Sequence, residues 1–288
     1  MEHLSCKPIE LSDKPLFDSF FKSHPPLNSE LTFTNLFAWR DSKRFRFIEH
    51  EHHLIISMGE PHTLLQPIGP DPVGTIKSLL KAHHDLQFER VESSVASQLQ
   101  GCQVVRDRDM DDYLYSLEDL RVMAGQKYVA KRNFVRRCEK YDPHVAPLDA
   151  SLIDQCLHVQ DDWCNLRDCK DNPTLASENL AVREALNHFV DFGLFGIAVI
   201  LDGKVQAFAI GEPLNQNTFV DHFEKANTEF EGIYQYLLHQ FAKAIPPPYT
   251  HINREQDLGV EGLRKAKLSW NPSGFVEKYK LHCGGDSA

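Results

Sequence analysis

Hydrophobic positions in the second half of the chain change period repeatedly, and each change marks the border of an element. Residues 144–148 (HVAPL) read as a short strand, and 151–169 and 174–192 as two helical stretches opened by Ser151 and Thr174. Gly193 ends the second stretch. Two apolar runs, 194–201 (LFGIAVIL) and 204–210 (KVQAFAI), flank Asp202-Gly203, a dipeptide suited to the tight turn of a hairpin. A third strand, 218–225 (TFVDHFEK), completes a meander. Ile233, Tyr236, Leu237, Phe241 and Ala244 then recur at helical spacing until Pro246, Pro247 and Pro248 stop the helix. Residues 249–254 read as a strand, 260–268 as a short helix and 275–281 as a last strand.

The first half repeats this order without obvious sequence identity. It begins with a strand at 7–11, helices near 14–22 and 31–39, and strands at 44–49, 54–58 and 63–67. A helix at 72–84, a strand at 86–91, a helix at 93–99 and a strand at 102–105 complete it. Residues 113–117 and a helix at 127–140 bridge the halves, with Gly125 as a break and no Ser/Gly-rich linker. The expected division is an N-terminal domain at 1–112, followed at 113–288 by a bridging basic helix and a C-terminal domain that carries the active site.

Composition narrows the picture. A chain of 288 residues, 42% hydrophobic and 25% charged, is long enough for two domains with real cores. The longest nearly apolar stretch, 189–201, is interrupted by Asp191 and falls short of the roughly 20 residues that a membrane-spanning helix needs. The opening MEHLSCKPIE lacks the basic and apolar regions of a secretory signal, so a cytoplasmic protein is expected. Seven cysteines without a C-x-x-C pair read as reduced, structural thiols. A net charge of -10 argues against broad adhesion to nucleic acid or anionic lipid, so a polyanionic ligand needs a local basic patch.

Three segments carry candidate chemistry. In KYVAKRNFVRRCEKY (127–141), Ala130, Phe134, Cys138 and Tyr141 form an apolar stripe, and Lys127, Lys131, Arg132, Arg136, Arg137 and Lys140 offer positive charge to phosphates. In the passage from His222 through Glu224 and Lys225 to Gly232 and Tyr234, a strand end runs into a helix N-terminus, a place that favours anions. His222 and Glu224 alternate on one face, and Glu224 reads either as a general base or as the ion-pair partner of Lys225 or Arg254. Acetyltransferases carry a glycine-rich loop at such a junction, and here only Gly232 is present. In HINREQDLGVEGLRKAKLSWNP (251–272), Asn253, Arg254, Glu255 and Asp257 precede Gly259, and Arg264, Lys265 and Lys267 charge the next helix. That segment holds both a proton acceptor and donors for a developing oxyanion.

Weaker signals are Asp107, Asp109, Asp111 and Asp112, which lack the glycine and closing glutamate of a calcium loop and read as an acidic turn. His50, His52 and His53 sit at a predicted hairpin turn without further ligands at a set spacing, and no metal is expected. No G-x-S-x-G, Walker loop or dinucleotide fingerprint occurs, which removes the corresponding hydrolase, kinase and dehydrogenase readings.

KRNFVRRCEKY, AFAIGEPLN, HFEKAN, GIYQYL, the 251–272 segment and ELTFTNLFAWR at 30–40 together resemble the motifs of the phosphatidylglycerol lysyltransferase C-terminal-like family. The resemblance covers nearly the whole chain. It implies an α/β fold of two tandem GNAT-like (acyl-CoA N-acyltransferase) domains, each a mixed, mostly antiparallel sheet flanked by helices, and kinship with Fem-type aminoacyltransferases. It also implies transfer of an aminoacyl group from aminoacyl-tRNA to an amine or hydroxyl acceptor such as a lipid headgroup or peptide. No cofactor would be bound permanently. Under this reading Glu224, Asp257, His222 and Asn253 form the catalytic set. Lys131, Arg132, Arg136, Lys225, Gly232, Tyr234, Arg254, Arg264 and Lys267 hold substrate or phosphate. The alternatives are an acyl-CoA donor on the same fold and a noncatalytic binding protein on a degenerate transferase fold.

Overall fold

A computed structural model describes residues 5–59 and 62–282 of the chain. Cys283 and the first four residues therefore lie outside the described residues. The chain divides into two compact units. One comprises the described residues up to Asp112, Gln256–Glu261 and the described residues from Phe275 onward; the other comprises Tyr113–Glu255 and Gly262–Gly274.

In chain order, the first half holds strands β1 (Lys7–Pro8), β2 (Arg46–His50), β3 (His53–Ser57), β4 (Thr63–Leu65), β5 (Gln87–Glu92) and β6 (Gln103–Arg106). Its helices are α1 (Lys14–Ser23), α2 (Phe33–Ala38), α3 (Arg40–Lys43), α4 (Pro72–Ala82) and α5 (Ser93–Ala96). There follow β7 (Asp112–Ser116), α6 (Leu117–Val122), α7 (Val129–Glu139), β8 (His144–Pro147), α8 (Ile153–Leu166), α9 (Pro173–Asn187) and α10 (Phe189–Phe192). The meander is β9 (Phe195–Leu201), β10 (Lys204–Pro213) and β11 (Thr218–Ala226). Then come α11 (Ile233–Ala244), β12 (His251–Asn253), α12 (Glu261–Leu268), β13 (Gly274–Val276) and β14 (Lys278–His282). Asn172, rather than Thr174, caps α9, accepting the Thr174 and Leu175 amides with Pro173 fixed in the first turn.

The two sheets share one design. The first runs β1-β2-β3-β4-β5-β14-β6 and the second β8-β9-β10-β11-β12-β7-β13. Apart from the β7–β13 edge, each is antiparallel except where its fourth and fifth strands, β4 and β5 or β11 and β12, run parallel. These are two GNAT-like domains. The expected single strand at 275–281 is two strands, and its second part, β14, pairs with β5 and β6 in the first sheet. The sixth place in the second sheet is taken by β7, which was expected to be a bridge. Each central slot is therefore filled by a strand remote in sequence from its neighbours, and no local period reports that choice.

Within the first unit, Ile55, Leu64, Ile76, Leu79, Phe88, Val91 and Leu281 form one core under α4 and α5. β14 contributes Leu281 to this core, and burying that side chain is worth about 1.5–3 kcal/mol. Charge fixes its register. Lys278 is fully buried, with its Nζ 2.6 Å from Asp112 and bonded also to Glu30. Burial opposes the ammonium, but Asp112 and Glu30 prevail and hold its pKa above the usual lysine value. Asp111 is equally buried and accepts from the Lys278 amide at 3.0 Å and from Arg106. The expected acidic turn is thus an internal clasp, because its carboxylates found cations from a distant strand.

In the second unit α11 packs its apolar face on β9, β10 and β11, where Phe219 meets Phe241 and Phe195 edge-on or stacked at 5.9–6.0 Å. Cys164 and Cys169 form a disulfide between the end of α8 and the turn before α9, which corrects the expectation of seven reduced thiols. Cys138 and Cys156 are free and buried. No helix among the described residues is long and apolar enough to cross a membrane.

Candidate active site

A β-bulge positions the chemistry. Along β10 and β11, Ile210 pairs with Phe223 and Gly211 with Asp221, so His222 is an extra residue on β11. The bulge needs Gly211: a Cβ there would lie 2.0 Å from the Val220 carbonyl oxygen. In a regular strand, residues three apart face opposite sides; the extra residue brings Asp221 and Glu224 to the same side. Parallel pairing of β11 with β12 covers only Thr218–Val220 against His251–Asn253. Beyond it β11 continues without β12, and the Arg254 guanidinium fills the gap.

Arg254 donates through Nε to Asp221 Oδ2 at 3.2 Å and to Glu224 Oε1 at 2.9 Å, and its Nη2 also reaches Glu224. All three side chains are nearly buried, at 14%, 3% and 10% exposure. Burial disfavours the Glu224 carboxylate, but Arg254 outweighs it and the pKa falls below the ordinary value. Asp221 shifts the other way: burial, then the neighbouring Glu224 charge, push it well above the ordinary carboxylate value. The two shifts are opposed, so a proton held by the pair favours Asp221 and the negative charge favours Glu224. Tyr115 lies under the Arg254 guanidinium at 5.7 Å, and its hydroxyl donates to the Lys267 carbonyl.

Two cations border this cluster. Lys131, on α7, rests over the Trp270 ring at 4.7 Å and donates to Ser269 Oγ at 2.6 Å. Burial and then the charge of Arg254 lower its pKa to about 8. Lys267, on α12, donates to the Arg254 carbonyl. Arg264 is half-buried on the same helix. Anion-binding capacity therefore concentrates around Lys131, Arg254, Lys267 and Arg264.

Other expected residues do different work. His222 is fully enclosed between Glu212 and Glu255, with Nε2 and Nδ1 each 2.9 Å from a carboxylate oxygen. Burial pushes its pKa down, but those two hydrogen bonds overcome it and raise the value to about 9. It is a cation at neutral pH and cannot accept a proton there, which removes it from the candidate bases. Asn253 is buried, and its Oδ1 accepts the Glu255 amide at 2.8 Å, shaping the turn that presents Arg254. Asp257, in the first unit, is buried; it accepts the Gly259 amide at 2.9 Å and faces Arg108 at 3.5 Å, so it is a turn-forming residue.

Lys225 turns away from Glu224, to Glu178 at 2.6 Å and onto the Trp163 ring at 3.6 Å. Its nearly complete burial leaves no anion-binding face. Gly232 has φ +86°, and a Cβ on it would come 2.0 Å from the Phe134 carbonyl oxygen. The α11 N-terminus is thus backed by α7 rather than open as a phosphate cradle, and Gly232 serves close packing. Tyr234 is half-buried, its pKa raised by burial to about 12. Arg132 bonds the Met123 and Gly125 carbonyls, capping α6. Arg137 pairs with Glu231, and Lys127 with Asp119. Of the six basic residues on this segment, Arg136 and Lys140 are exposed and have no ion pair among the described residues.

Sequence reasoning missed Asp221, Glu212 and Tyr115. Asp221 stood in the quoted strand, but ordinary alternation put it on the face opposite Glu224. In the first unit the equivalent gap beyond β4 and β5 is closed by its own loop: Leu27 donates to Glu92 at 2.9 Å and Asn28 to the Arg90 carbonyl at 3.0 Å.

Residues 21–282 match the family model described as phosphatidylglycerol lysyltransferase, C-terminal. The chain belongs to the phosphatidylglycerol lysyltransferase C-terminal family. A conserved protein of unknown function from Bacteroides thetaiotaomicron VPI-5482 is similar to this family member at 32% identity and TM-score 0.89, over 96% of this chain and 98% of that one. L-PGS from Bacillus licheniformis is similar in fold, with 15% identity and TM-score 0.68 over 99% and 95% of the two chains. An uncharacterized protein of Mycoplasmoides gallisepticum is 24% identical over 176 residues, 58% of this chain and 54% of that protein. The match thus spans about half the length of that curated relative.

Proposed function

We propose that this member of the phosphatidylglycerol lysyltransferase C-terminal family moves an aminoacyl group from aminoacyl-tRNA to an amine or hydroxyl acceptor. The observation that carries the reading is the buried Asp221–Glu224–Arg254 cluster in the gap beside β11, with Lys131 and Lys267 next to it. The acceptor attacks the ester carbonyl carbon. Its N–C or O–C bond forms, and the ester C–O bond to the ribose breaks. Glu224, the ionised member, takes the acceptor's proton; Asp221, the protonated member, gives one to the leaving ribose oxygen. The pair starts and ends with one proton, and its return to Asp221 resets the site. Arg254 and Lys131 offset negative charge on the carbonyl oxygen, and Lys131, Lys267, Arg264, Arg136 and Lys140 supply positive charge toward the terminal phosphates.

An acyl-CoA donor is disfavoured because Gly232 stands alone where a glycine-rich loop would meet a pyrophosphate, and it packs against the Phe134 carbonyl. The test is incubation with tRNA charged with a labelled amino-acid mixture, together with a panel of amine, peptide and lipid acceptors. Transfer of label that is lost in Arg254→Gln is the expected result. A stabilising thermal shift with acetyl-CoA, together with no transfer from charged tRNA, would overturn it; at 100 times its dissociation constant a ligand adds about 2.7 kcal/mol.

A further inference from the structure

Lys131 differs from other lysines of the chain in what surrounds its ammonium. It lies half-buried on α7, with Nζ over the Trp270 ring at 4.7 Å and donating to Ser269 Oγ at 2.6 Å. Neither partner is an anion. The charged group that acts on it is the Arg254 guanidinium, and no carboxylate pairs with it among the described residues. Lys127 and Lys225, by contrast, hold carboxylates at 2.8 and 2.6 Å, and Lys140, at the end of the same helix, is exposed to water. Burial first, and the like charge of Arg254 second, lower the Lys131 pKa to about 8. Lys225 is also held below the usual lysine value, but it is enclosed at 3% exposure and tied to Glu178. Lys131 thus joins partial exposure to surroundings that favour the neutral amine.

We propose that Lys131 is a modification site, whose amine takes an acyl group from an activated donor, an acyl phosphate or a reactive ester, faster than a freely exposed lysine such as Lys140. The nitrogen lone pair attacks the carbonyl carbon and an N–C bond forms. The C–O bond to the phosphate or alcohol breaks, and one amine proton passes to water. The product is a neutral amide, so one positive charge beside Arg254 is removed. Only the consequence of that loss for phosphate binding rests on the function proposed above. At pH 7.5 about a quarter of an amine with a pKa of about 8 is neutral, against about 0.1% at the ordinary lysine value of about 10.4. Lower basicity weakens the nucleophile and takes back part of that advantage, which leaves a preference of about tenfold.

The experiment treats the full chain with acetyl phosphate and, separately, with the uncharged N-hydroxysuccinimidyl acetate, between pH 6.5 and 9.5. Peptide mass spectrometry reads the acetylation rates at Lys131 and Lys140. Both reagents should label Lys131 about tenfold faster than Lys140 at pH 7.5. The Lys131 rate should level off above pH about 8, while the Lys140 rate keeps climbing to the top of the range. In Arg254→Gln the preference should shrink about threefold with the Lys140 rate unchanged, and if that variant does not fold the wild-type profiles decide. Equal rates at the two lysines, or profiles that climb in parallel, overturn the inference. So does a preference seen with acetyl phosphate alone, because the cations would then be gathering an anion rather than presenting a neutral amine. Selective acylation of Lys131 without any transfer from charged tRNA refutes the proposed function and leaves the modification site standing.

Discussion

His222 offers the sharpest test of the electrostatics. Its imidazole is fully buried between Glu212 and Glu255, and its pKa rises to about 9 from 6.5. A histidine whose folded value exceeds its unfolded value adds stability that is complete below about 6.5 and disappears as pH climbs through about 9. A shift of about 2.5 units corresponds to roughly 3 kcal/mol at pH 6, about 2.5 kcal/mol at pH 7 and nearly nothing at pH 10. His222→Gln keeps hydrogen-bonding capacity but removes the charge, leaving two carboxylates to face each other. Urea denaturation of both proteins at pH 6, 7, 8.5 and 10 follows the effect, since titrating groups away from His222, Glu212 and Glu255 cancel in the difference. The wild type should lead by about 3 kcal/mol at pH 6, and the gap should close by pH 10. A difference that stays constant across this range would mean that the imidazole is neutral, and the argument that removed His222 from the candidate bases would fail.

Arg254→Gln should cost about 3–5 kcal/mol, because it leaves the Glu224 carboxylate buried beside Asp221 without its cation, and chemical denaturation reads that loss directly. Restoring neutrality by combining it with Glu224→Gln should recover stability while transfer activity stays absent. RNA affinity should fall as pH rises through about 8, where Lys131 loses its charge, and Lys131→Arg should move that fall well above pH 9; filter binding across pH at fixed salt checks both. Gly232→Ala should lower stability by about 1–3 kcal/mol, since its Cβ cannot coexist with the Phe134 carbonyl at 2.0 Å, and an unchanged melting temperature would refute the close-packing role.

The order of elements was readable because each helix and strand carries its own period and its own stops. The Asp202-Gly203 turn, the apolar face of α11 and the proline stop after it depend on neighbours within a few residues, and all of them appear in the structure. Arg254 and Glu224 were likewise visible as a possible pair, because charged residues at a strand end need partners. The bulge at His222 was not readable: it depends on how Gly211 on the neighbouring strand meets the Val220 carbonyl, and it alone turns Asp221 toward Glu224.

By itself, the sequence determined the two α/β repeats, the family to which they belong and the short list of charged residues from which a site can be built. Tertiary structure decided which of those charges cancel one another inside the protein: His222 with two glutamates, Lys225 with Glu178, Asp112 with Lys278, Arg132 with backbone carbonyls. The division has a physical cause. Periodicity and turn preference act over a few residues, whereas the protonation and pairing of a buried charge depend on groups brought close by chain segments up to 248 residues apart, as for Glu30 and Lys278.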